Sequence, residues 1–490
     1  MTGFILEYFG FKPTKEQENA LKMMSEFIFE RDNDSLFLLK GFAGTGKTSL
    51  VGALVRALET LKQRTVLLAP TGRAAKVFAS HAGQAAYTIH KRIYRQKAFT
   101  GDMTDFLQNV NLLKDALFIV DEASMISNDS YGGSMFGTGR LLDDLIQFVY
   151  SGQGCRLMLV GDTAQLPPVG DEQSPALEAA VLEGYGLRVY EITLTQVVRQ
   201  LSDSGILWNA TMLRRLIAAD ELWAFPRLRL KGFPDVIHMP GNELIEAIEQ
   251  SYYHVGRDET IIVTRSNLRA NVYNQGIRGR ILGLEEELTS GDQLMVVKNN
   301  YHWVKPEPPR NADGSNVQDH TETSASPMMD FIANGDVAIV RRLRNERSVH
   351  GFRFVDVCLE FPDYDNMEVE ATVILDTLMS EAPALSREQQ NSLFQHVWDD
   401  YPELTTKRDR MRAVKLDPFF NALQVKYAYA VTCHKAQGGQ WQHVYIDQGF
   451  MREDMLSPDY FRWLYTALTR ATEKVFLVNW PMEEIDDEGL

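Results

Sequence analysis

The stretch SLFLLKGFAGTGKTSLVGALVRALETLKQ, residues 35–63, decides the fold of this chain. It begins as a short apolar run, continues through a glycine-rich turn and ends as a helix-like segment. The turn, GFAGTGKTS (41–49), matches the pattern G-x-x-x-x-G-K-[ST] in the strand–turn–helix context that the pattern requires. Backbone N–H groups around Gly44–Lys47 are therefore predicted to cradle phosphate groups at the positive end of a helix.

This turn and one acidic strand end predict a nucleotide site. Lys47 is expected to neutralise the β- and γ-phosphates of ATP, and the Thr48 hydroxyl to bind Mg²⁺. In FIVDEAS (118–124), Asp121 suits a second Mg²⁺ ligand and Glu122 suits the positioning of the attacking water. The alternative for the glycine-rich turn is a chance match in a loop. The alternative for Asp121 and Glu122 is a solvated acidic pair on the surface. The residues predicted here to bind the nucleotide are Gly44, Thr45, Gly46, Lys47, Thr48, Ser49 and Asp121.

The stretch VGDTAQLPPVG (160–170) follows another apolar run and carries two adjacent prolines. In a parallel sheet, ligands bind beyond the carboxyl ends of the strands. Gln165 is therefore predicted to point towards the same crevice and to sense the γ-phosphate. Proline fixes its own φ and restricts the residue before it, which makes Pro167-Pro168 a stiff connection. A rigid turn with no further role is the alternative.

Apolar runs recur along the chain and predict an α/β architecture. The first third contains SLFLLKG, TVLLAPT, ALFIVDE and RLMLVGD, each of which ends in a polar or glycine-rich turn. Unalternated runs of this length suit strands buried on both faces, and helix-like stretches lie between them, as in a doubly wound parallel sheet. A second set, TIIVTR (260–265), HVYID (443–447) and VFLVNW (475–480), predicts a second α/β domain interrupted by a long insertion.

Two insertions are predicted from composition and turn signals. The larger contains a polar, proline-containing loop at 305–327, paired strands at 331–343 and 352–361, and a helix at 386–401. The smaller contains two short runs around residues 100–102, which predict a β-hairpin. The predicted domains are 1A at 1–85 and 111–190, the hairpin 1B at 86–110, 2A at 191–290 and 422–490, and 2B at 291–421.

Charge and composition narrow the class of protein. The 490 residues carry a formal net charge of −16, which argues against a uniformly basic surface that coats nucleic acid but leaves room for a locally basic channel. The sequence has no apolar stretch of about 18 residues or more and no signal-like start, so we expect no membrane partner. Its three cysteines stand far apart, which predicts neither a disulfide framework nor a zinc site and favours a cytoplasmic location.

Nine sequence blocks occur in one order along the chain. They are TKEQENAL (14–21), GFAGTGKTS, APTGRAAK (69–76), TIHK (88–91), VDEASM, VGDTAQLPPVG, LTQVVRQ (194–200), YAVTCHKAQGGQW (429–441) and YTALTRA (465–471). In these blocks the chain resembles the superfamily 1B helicases, the branch of RecD- and Dda-like proteins, and it is most similar to the RecD-like P-loop ATPases. The resemblance covers both α/β domains, whereas the two insertions match in position only.

The resemblance implies two RecA-like doubly wound parallel-sheet domains, with a small β-hairpin insertion in the first and a larger, partly β, SH3-like insertion in the second. It implies an ATP-dependent 5′-to-3′ DNA helicase or single-stranded DNA translocase that hydrolyses ATP between the two domains. Gln17 would then read the adenine, and Arg199 and Arg470 would be arginine fingers. Gln437 and Gly438 would face the ATP cleft. A surface ion pair is the alternative for each arginine.

The resemblance also implies DNA contacts across both domains, made by hydroxyl, amide and charged groups. Pro167-Pro168 replaces aromatic side chains found in 1A relatives, a feature that accompanies 5′-to-3′ travel in the family. Phe99, near the predicted hairpin turn, would stack on the last base pair as a wedge, or it would pack against its own hairpin. For His434 the alternative is a buried, hydrogen-bonded histidine. The implied DNA-binding residues are Pro70, Thr71, Lys76, Thr88, His90, Phe99, Pro167, Pro168, Thr432, His434 and Lys435.

Two other activities remain open at this point. In the first, the chain is the motor subunit of a multi-protein nuclease or repair complex and unwinds little on its own. In the second, it is an RNA helicase of the same superfamily. For the helicase itself, the implied partners are single-stranded DNA and duplex junctions, with other repair or replication proteins as additional candidates. A monomeric motor is expected.

Overall fold

The structure, a computed structural model of the chain, describes residues 1–30, 32–96, 106–128, 137–198, 204–304, 329 and 331–486. Within this described part, two parallel sheets and a closed barrel form the architecture. Both sheets lie in one compact unit, and the barrel lies in a second unit that includes residues 282–428. The predicted fold class is confirmed, while the finer four-part division into 1A, 1B, 2A and 2B stays a prediction.

The first sheet has six parallel strands. The helices and strands of this part of the chain are α1 (Thr2–Phe9), α2 (Lys15–Phe29), β1 (Ser35–Gly41), α3 (Lys47–Thr60), β2 (Thr65–Ala69), α4 (Gly72–Ala82), β3 (Ala86–Thr88), α5 (Ile89–Ile93), β4 (Tyr94–Gln96), β5 (Phe106–Gln108), β6 (Leu117–Val120), α6 (Leu141–Tyr150), β7 (Arg156–Gly161), α7 (Ala179–Glu183) and β8 (Arg188–Leu194), of which β4 and β5 pair only with each other in a separate two-stranded sheet. The strand order is β3–β2–β6–β7–β1–β8, and every neighbouring pair is parallel. The four apolar runs of the first third are β1, β2, β6 and β7.

Packing of α3 on β1 fixes the glycine-rich loop at both ends. Phe37 and Leu39 of β1 share one core with Leu50, Leu54 and Leu58 of α3. The three leucines are four residues apart and therefore lie on one face of the helix. Because the strands of the sheet are all parallel, the loops that follow β1, β2, β3, β6 and β7 lie at one edge of it.

The remaining helices and strands form the second sheet and the barrel. They are α8 (Gly205–Ala219), β9 (Leu228–Arg229), β10 (Val236–Met239), α9 (Leu244–His254), β11 (Thr260–Thr264), α10 (Asn267–Gly276), β12 (Gln293–Val296), β13 (Val337–Val349), β14 (Phe352–Phe361), β15 (Met367–Ile374), α11 (Arg387–Asp399), α12 (Lys407–Leu416), β16 (Leu423–Tyr427), β17 (Ala430–Thr432), α13 (Cys433–Ala436), β18 (Trp441–Asp447), α14 (Pro458–Leu468), β19 (Ala471–Val478) and β20 (Ile485–Asp486). The second sheet is parallel, in the order β10–β19–β18–β11–β17. Its predicted runs are β11, β18 and β19.

The barrel consists of β12, β13, β14, β15 and β16. Neighbouring strands are antiparallel except β15 and β16, which are parallel. The predicted strand pair and the predicted helix are confirmed as β13, β14 and α11. Strand β13 runs further than predicted, to Val349, because His350 and Gly351 both have positive φ and form a tight turn that keeps β13 paired with the start of β14.

The predicted hairpin of the smaller insertion is present as β4 and β5, in which Tyr94 pairs with Gln108 in an antiparallel register. The Tyr94 hydroxyl donates to Asp144 Oδ2 of α6 at 2.7 Å, which fastens the hairpin to the first domain. Phe99 lies outside the described residues. Throughout the part of the chain that the structure describes, no helix combines the length and the apolar character needed to cross a bilayer.

Candidate nucleotide cleft and nucleic-acid interface

The glycine-rich loop between β1 and α3 is shaped by two residues with positive φ. Gly44 has φ 75° and Gly46 has φ 82°, a left-handed conformation that other residues rarely adopt. A Cβ at position 46 would lie 2.6 Å from Gln17 Nε2, and one at position 44 would lie 2.9 Å from a methyl group of Leu207. Backbone conformation and lack of space therefore both require glycine at these two positions.

Lys47 is the first residue of α3, and its ammonium group is held at the carboxyl edge of the first sheet. Nζ donates to the carbonyl oxygens of Gly41 at 2.7 Å and of Phe42 at 3.0 Å. It also lies 4.0 Å from Asp162 Oδ2. An ammonium group with these oxygen partners is placed to exchange them for the oxygens of a phosphate. This position suits the predicted role of Lys47.

Gln17 connects α2 to the glycine-rich loop. Its Oε1 accepts from the Thr14 N–H at 3.0 Å, as part of a capping box at the start of α2. Its Nε2 donates to the Thr45 carbonyl at 2.9 Å, and the side chain is only 1% exposed. The structure thus brings Gln17 to the loop, with both ends of its amide bonded to the protein. Its contact with adenine stays a prediction.

Asp121 and Glu122 follow β6 at the same edge of the sheet. Asp121 Oδ1 accepts from the Glu122 N–H at 2.9 Å. Burial, together with the charge of Glu122, raises the pKa of Asp121 to about 6. A cation beside this carboxylate would favour its charged form. Thr48 is half-buried in the first turn of α3, and Ser49 is exposed. A hydroxyl and a carboxylate are ligands that Mg²⁺ prefers, so Thr48 and Asp121 fit the predicted ion.

Gln165 is buried in the loop that follows β7. Its Oε1 has no hydrogen-bond partner among the described residues and lines a small cavity of about 20 Å³. Leu166, the next residue, donates its N–H to Thr466 Oγ1 at 2.9 Å and accepts from Gln437 Nε2 at 2.7 Å. Thr466 and Gln437 belong to the second domain. Both polar groups of the Leu166 backbone are therefore held by the second domain, immediately before buried Pro167 and half-buried Pro168.

Arg470 follows α14 in the second domain and is only 3% exposed. Its Nε donates to the Thr466 carbonyl at 3.1 Å, and its Nη1 donates to the Gly439 carbonyl at 3.2 Å. Nη1 also lies 3.9 Å from Glu122 Oε1 of the first domain. This burial is inconsistent with the alternative of a surface ion pair. The guanidinium group lies beside the acidic end of β6, a position that suits the predicted role of an arginine finger.

Arg199 lies outside the described residues, but the segment just before it is described. There, the Val198 N–H donates to the Gly44 carbonyl at 2.9 Å. Glu16 of α2 accepts from the N–H groups of Thr195 and Gln196, at 2.6 Å and 2.8 Å. The segment that leads to position 199 is thus bonded to the glycine-rich loop and to the helix that carries Gln17.

Gly438 lies close to α4. A Cβ at this position would lie 2.8 Å from Ala74 Cβ and 3.2 Å from Thr71 Oγ1, both in or next to α4. Gly438 also has φ 74°. Packing against α4 therefore accounts for glycine at this position, and its contact with the nucleotide stays a prediction. Gln437 donates to the Leu166 carbonyl at 2.7 Å, and its place at the nucleotide likewise stays a prediction.

The predicted DNA-binding residues of the first domain follow β2 and β3. Thr71 and Thr88 are the N-caps of α4 and α5, and their hydroxyl oxygens accept from Ala74 N and Lys91 N at 3.2 Å each. Pro70 is half-buried and Lys76 is exposed. Burial lowers the pKa of His90 to about 4, so its imidazole is neutral at pH 7 and would contact a phosphate through a hydrogen bond rather than a charge. In the second domain, Thr432 ends β17 and is half-buried, as is Lys435, while His434 is exposed.

Comparison with known proteins agrees with this arrangement. The AAA domain family matches residues 14–225, and the UvrD-like helicase C-terminal domain family matches residues 427–478. The ATP-dependent RecD2 DNA helicase of Deinococcus radiodurans is 31% identical over 305 residues, which cover 59% of this chain and 38% of that protein. The ATP-dependent DNA helicase dda of Enterobacteria phage T4 is 28% identical over 295 residues, or 58% of this chain and 60% of that protein.

The chain belongs to the RecD-like superfamily 1B DNA helicases. This RecD-like helicase spans well under two thirds of the length of RecD2 and about three fifths of that of the phage T4 relative. The uncharacterized protein R530 of Acanthamoeba polyphaga mimivirus matches more evenly, with 22% identity over 94% of this chain and 98% of that protein. The chain also resembles a solved Pif1 helicase from Bacteroides, in complex with ADP-AlF3 and single-stranded DNA. The match covers 98% of this chain and 95% of the Pif1 chain, at 15% identity and a TM-score of 0.44. This likeness is too distant to bear on function.

Several cleft residues of this RecD-like helicase were not identified from its sequence. Asp162 and Tyr465 join the two domains through a hydrogen bond of 2.6 Å. Arg73 of α4 donates to the Gln440 carbonyl at 2.9 Å and stacks over the ring of Trp441 at 4.2 Å. The signal that could have found them was their place in the sequence, because Arg73, Asp162 and Tyr465 each lie inside one of the nine sequence blocks. Residue type alone gave no indication, since a single aspartate, tyrosine or arginine has many structural uses.

Proposed function

We propose that this RecD-like helicase hydrolyses ATP in the cleft between its two parallel-sheet domains and moves 5′ to 3′ along single-stranded DNA. The observation that carries this proposal is the approach of Arg470, from the second domain, to within 3.9 Å of Glu122 in the first. A guanidinium group beside the carboxylate that orients the attacking water is the arrangement of an arginine finger supplied in cis. Hydrolysis would then depend on how closely the two domains approach each other.

Each charged group of the cleft has a separate task in this proposal. Lys47 and the amides of the glycine-rich loop bind the β- and γ-phosphates, while Glu122 orients water. Arg470 stabilises the charge that develops on the transferring phosphoryl group. Mg²⁺, held by Thr48 and Asp121, would neutralise phosphate charge when bound. Gln165 responds to the γ-phosphate through its amide N–H groups, the donor end of the side chain, while its buried Oε1 has no hydrogen-bond partner among the described residues.

The proposal for movement along DNA is based on the contact between α4 and the segment after α13. The close approach of Gly438 to Ala74 means that these two elements touch in the described structure. Thr71, at the start of α4, and Thr432, at the start of α13, each hold a DNA phosphate in this proposal. Opening of the cleft after hydrolysis would separate the two phosphate contacts. Since phosphates carry no base identity, the step would be independent of sequence.

Direction is tested by strand displacement from duplexes that carry either a 5′ or a 3′ single-stranded tail. We expect ATP-dependent displacement from the 5′-tailed duplex and little from the 3′-tailed one. The expectation rests on Pro167-Pro168, whose buried and half-buried rings leave no aromatic side chain at that place to stack with a base. Omission of ATP is the control for spontaneous melting. Displacement of the 3′-tailed duplex alone would contradict the assigned direction.

The predicted wedge, Phe99, lies outside the described residues and is tested by substitution. We expect Phe99→Ala to slow unwinding about tenfold or more, because stacking on a base is worth ~1–3 kcal/mol, while DNA-stimulated ATP hydrolysis changes by less than about twofold. Phe29, which is 70% exposed at the end of α2, provides the matched control as Phe29→Ala. Equal losses of unwinding and hydrolysis in Phe99→Ala would make Phe99 a structural residue.

Partners and location remain proposals. We infer that the substrates are single-stranded DNA and duplex junctions, and that the chain acts as a monomer. The three cysteines are buried and free, which suits a reducing, cytoplasmic environment. The alternative of a motor subunit within a nuclease or repair complex predicts weak DNA-stimulated hydrolysis by the isolated chain and a stable complex with other repair or replication proteins on affinity purification.

A further inference from the structure

Tyr465 of α14 makes a three-way contact across the cleft. Its hydroxyl donates to Asp162 Oδ2 at 2.6 Å and accepts from the Ala43 N–H of the glycine-rich loop at 2.8 Å. The side chain is 1% exposed. Asp162 is anchored in the first domain, where its Oδ1 accepts from the Ala164 N–H at 2.9 Å. One phenol from the second domain therefore bonds both the loop that holds phosphate and the loop that carries Gln165.

The contacts of Tyr465 continue to Arg470, which follows the end of the same helix. The Tyr465 carbonyl accepts from Thr469 Oγ1 at 2.9 Å, and Thr469 Oγ1 accepts in turn from Arg470 Nη2 at 3.3 Å. The Thr466 carbonyl accepts from Arg470 Nε, and the Thr466 hydroxyl accepts from the Leu166 N–H. Residues 465–470 thus bond two loops of the first domain at one end and hold the guanidinium group at the other.

The phenol keeps its proton under ordinary conditions. Burial and the charge of Asp162 raise the pKa of Tyr465 well above its usual value, because a second negative charge beside the carboxylate would be unfavourable. Tyr465 is therefore protonated at neutral pH and can donate to Asp162. A hydrogen bond to a buried charged group is among the stronger kinds in proteins, so this contact is suited to transmit displacement of the loop.

We propose that Tyr465 is a positioning residue that couples the glycine-rich loop to Arg470, so that the arginine finger approaches the phosphoryl group only when the loop and Asp162 are correctly placed. The inference rests on the proposed function, because it assumes that Arg470 acts in hydrolysis. Tyr465 itself touches no reacting atom in this proposal. Its effect appears in the rate of the chemical step rather than in the binding of ATP.

The test replaces Tyr465 with phenylalanine, which removes the hydroxyl and keeps the ring. We expect the kcat of single-stranded DNA-stimulated ATP hydrolysis to fall about tenfold, the effect of one lost hydrogen bond to a charged group, with the KM for ATP within about twofold. Tyr460→Phe is the matched control, because Tyr460 is equally buried in the same helix and its hydroxyl bonds Gln448 within the second domain, at 2.7 Å. We expect its kcat to change by less than about twofold.

The same substitution is then made in the Arg470→Ala protein. If Tyr465 acts through Arg470, Tyr465→Phe should lower kcat there by less than about twofold, since coupled residues are not additive. An equal loss in both backgrounds, a normal kcat in Tyr465→Phe, or unfolding of Tyr465→Phe alone by circular dichroism would overturn the inference. A normal rate in Arg470→Ala would instead refute the proposed function, so the two failures are distinguishable.

Discussion

Replacement of Lys47 by alanine is expected to abolish ATP hydrolysis and to leave single-stranded DNA binding within about threefold of normal. The ammonium group is the cation of the glycine-rich loop, already held by the carbonyl oxygens of Gly41 and Phe42. Without it, the β- and γ-phosphates lose a charge-assisted contact that strengthens as charge develops during transfer. The residues proposed to hold DNA phosphates do not include Lys47. Release of phosphate and fluorescence anisotropy of a labelled oligonucleotide measure the two properties.

The control for this substitution is Lys22→Ala. Lys22 is exposed on α2, in the same domain, and is not among the residues proposed to form the cleft. We expect both hydrolysis and DNA binding to be normal in Lys22→Ala, which excludes a general effect of lost positive charge. Full turnover in Lys47→Ala would remove the glycine-rich loop from the chemistry, and with it the proposed function.

Replacement of Arg470 by alanine should slow hydrolysis by about 10³-fold or more, the scale expected of an arginine finger, which corresponds to about 4 kcal/mol of transition-state stabilisation. The guanidinium group lies 3.9 Å from Glu122 and is almost completely buried, so bulk water screens it little. ATP binding should change much less, because the finger acts on charge that develops during transfer. Single-turnover hydrolysis with saturating ATP separates the two effects.

Arg470 also donates to the carbonyl oxygens of Thr466 and Gly439, so its loss has a structural component. Arg470→Lys is therefore informative, since lysine keeps the charge but lacks the planar fork that bonds several acceptors at once. Arg452→Ala is the exposed control, because Arg452 forms an ion pair with nearby Asp454 at 3.0 Å and is not part of the proposed cleft. A near-normal rate in Arg470→Ala, with the thermal midpoint unchanged, would remove Arg470 from the catalytic site.

Much of the first domain was predictable because its signals are local. The run SLFLLKG is apolar at almost every position and is followed by a turn whose glycines have positive φ, so a buried strand and a phosphate loop follow from a few neighbouring residues. The hairpin and two of the barrel strands, β13 and β14, were predictable for the same reason, although β13 ends later than predicted because its length depends on pairing with β14.

The sequence predicted the side chains of the cleft less completely than it predicted the strands and helices. Gly438 was expected to face the nucleotide, and the structure shows in addition that it lies close to Ala74 of α4 and to Thr71, the N-cap of that helix. A glycine in a sequence block indicates close approach of some other group but does not identify that group. Asp162 and Tyr465 were missed because their function depends on partners rather than on their own chemistry. Their hydrogen bond joins residues 303 positions apart.

By itself, the sequence determined two parallel-sheet domains, a phosphate-binding loop at 41–49 and membership in one helicase branch. These properties depend on short stretches whose apolar pattern and glycine content act within a few residues. Only the tertiary structure decided which groups meet across the cleft: Tyr465 with Ala43, 422 positions away, and Thr466 with Leu166, 300 positions away. Such pairs form because two domains pack in one orientation, and that orientation results from many weak contacts that no single stretch encodes.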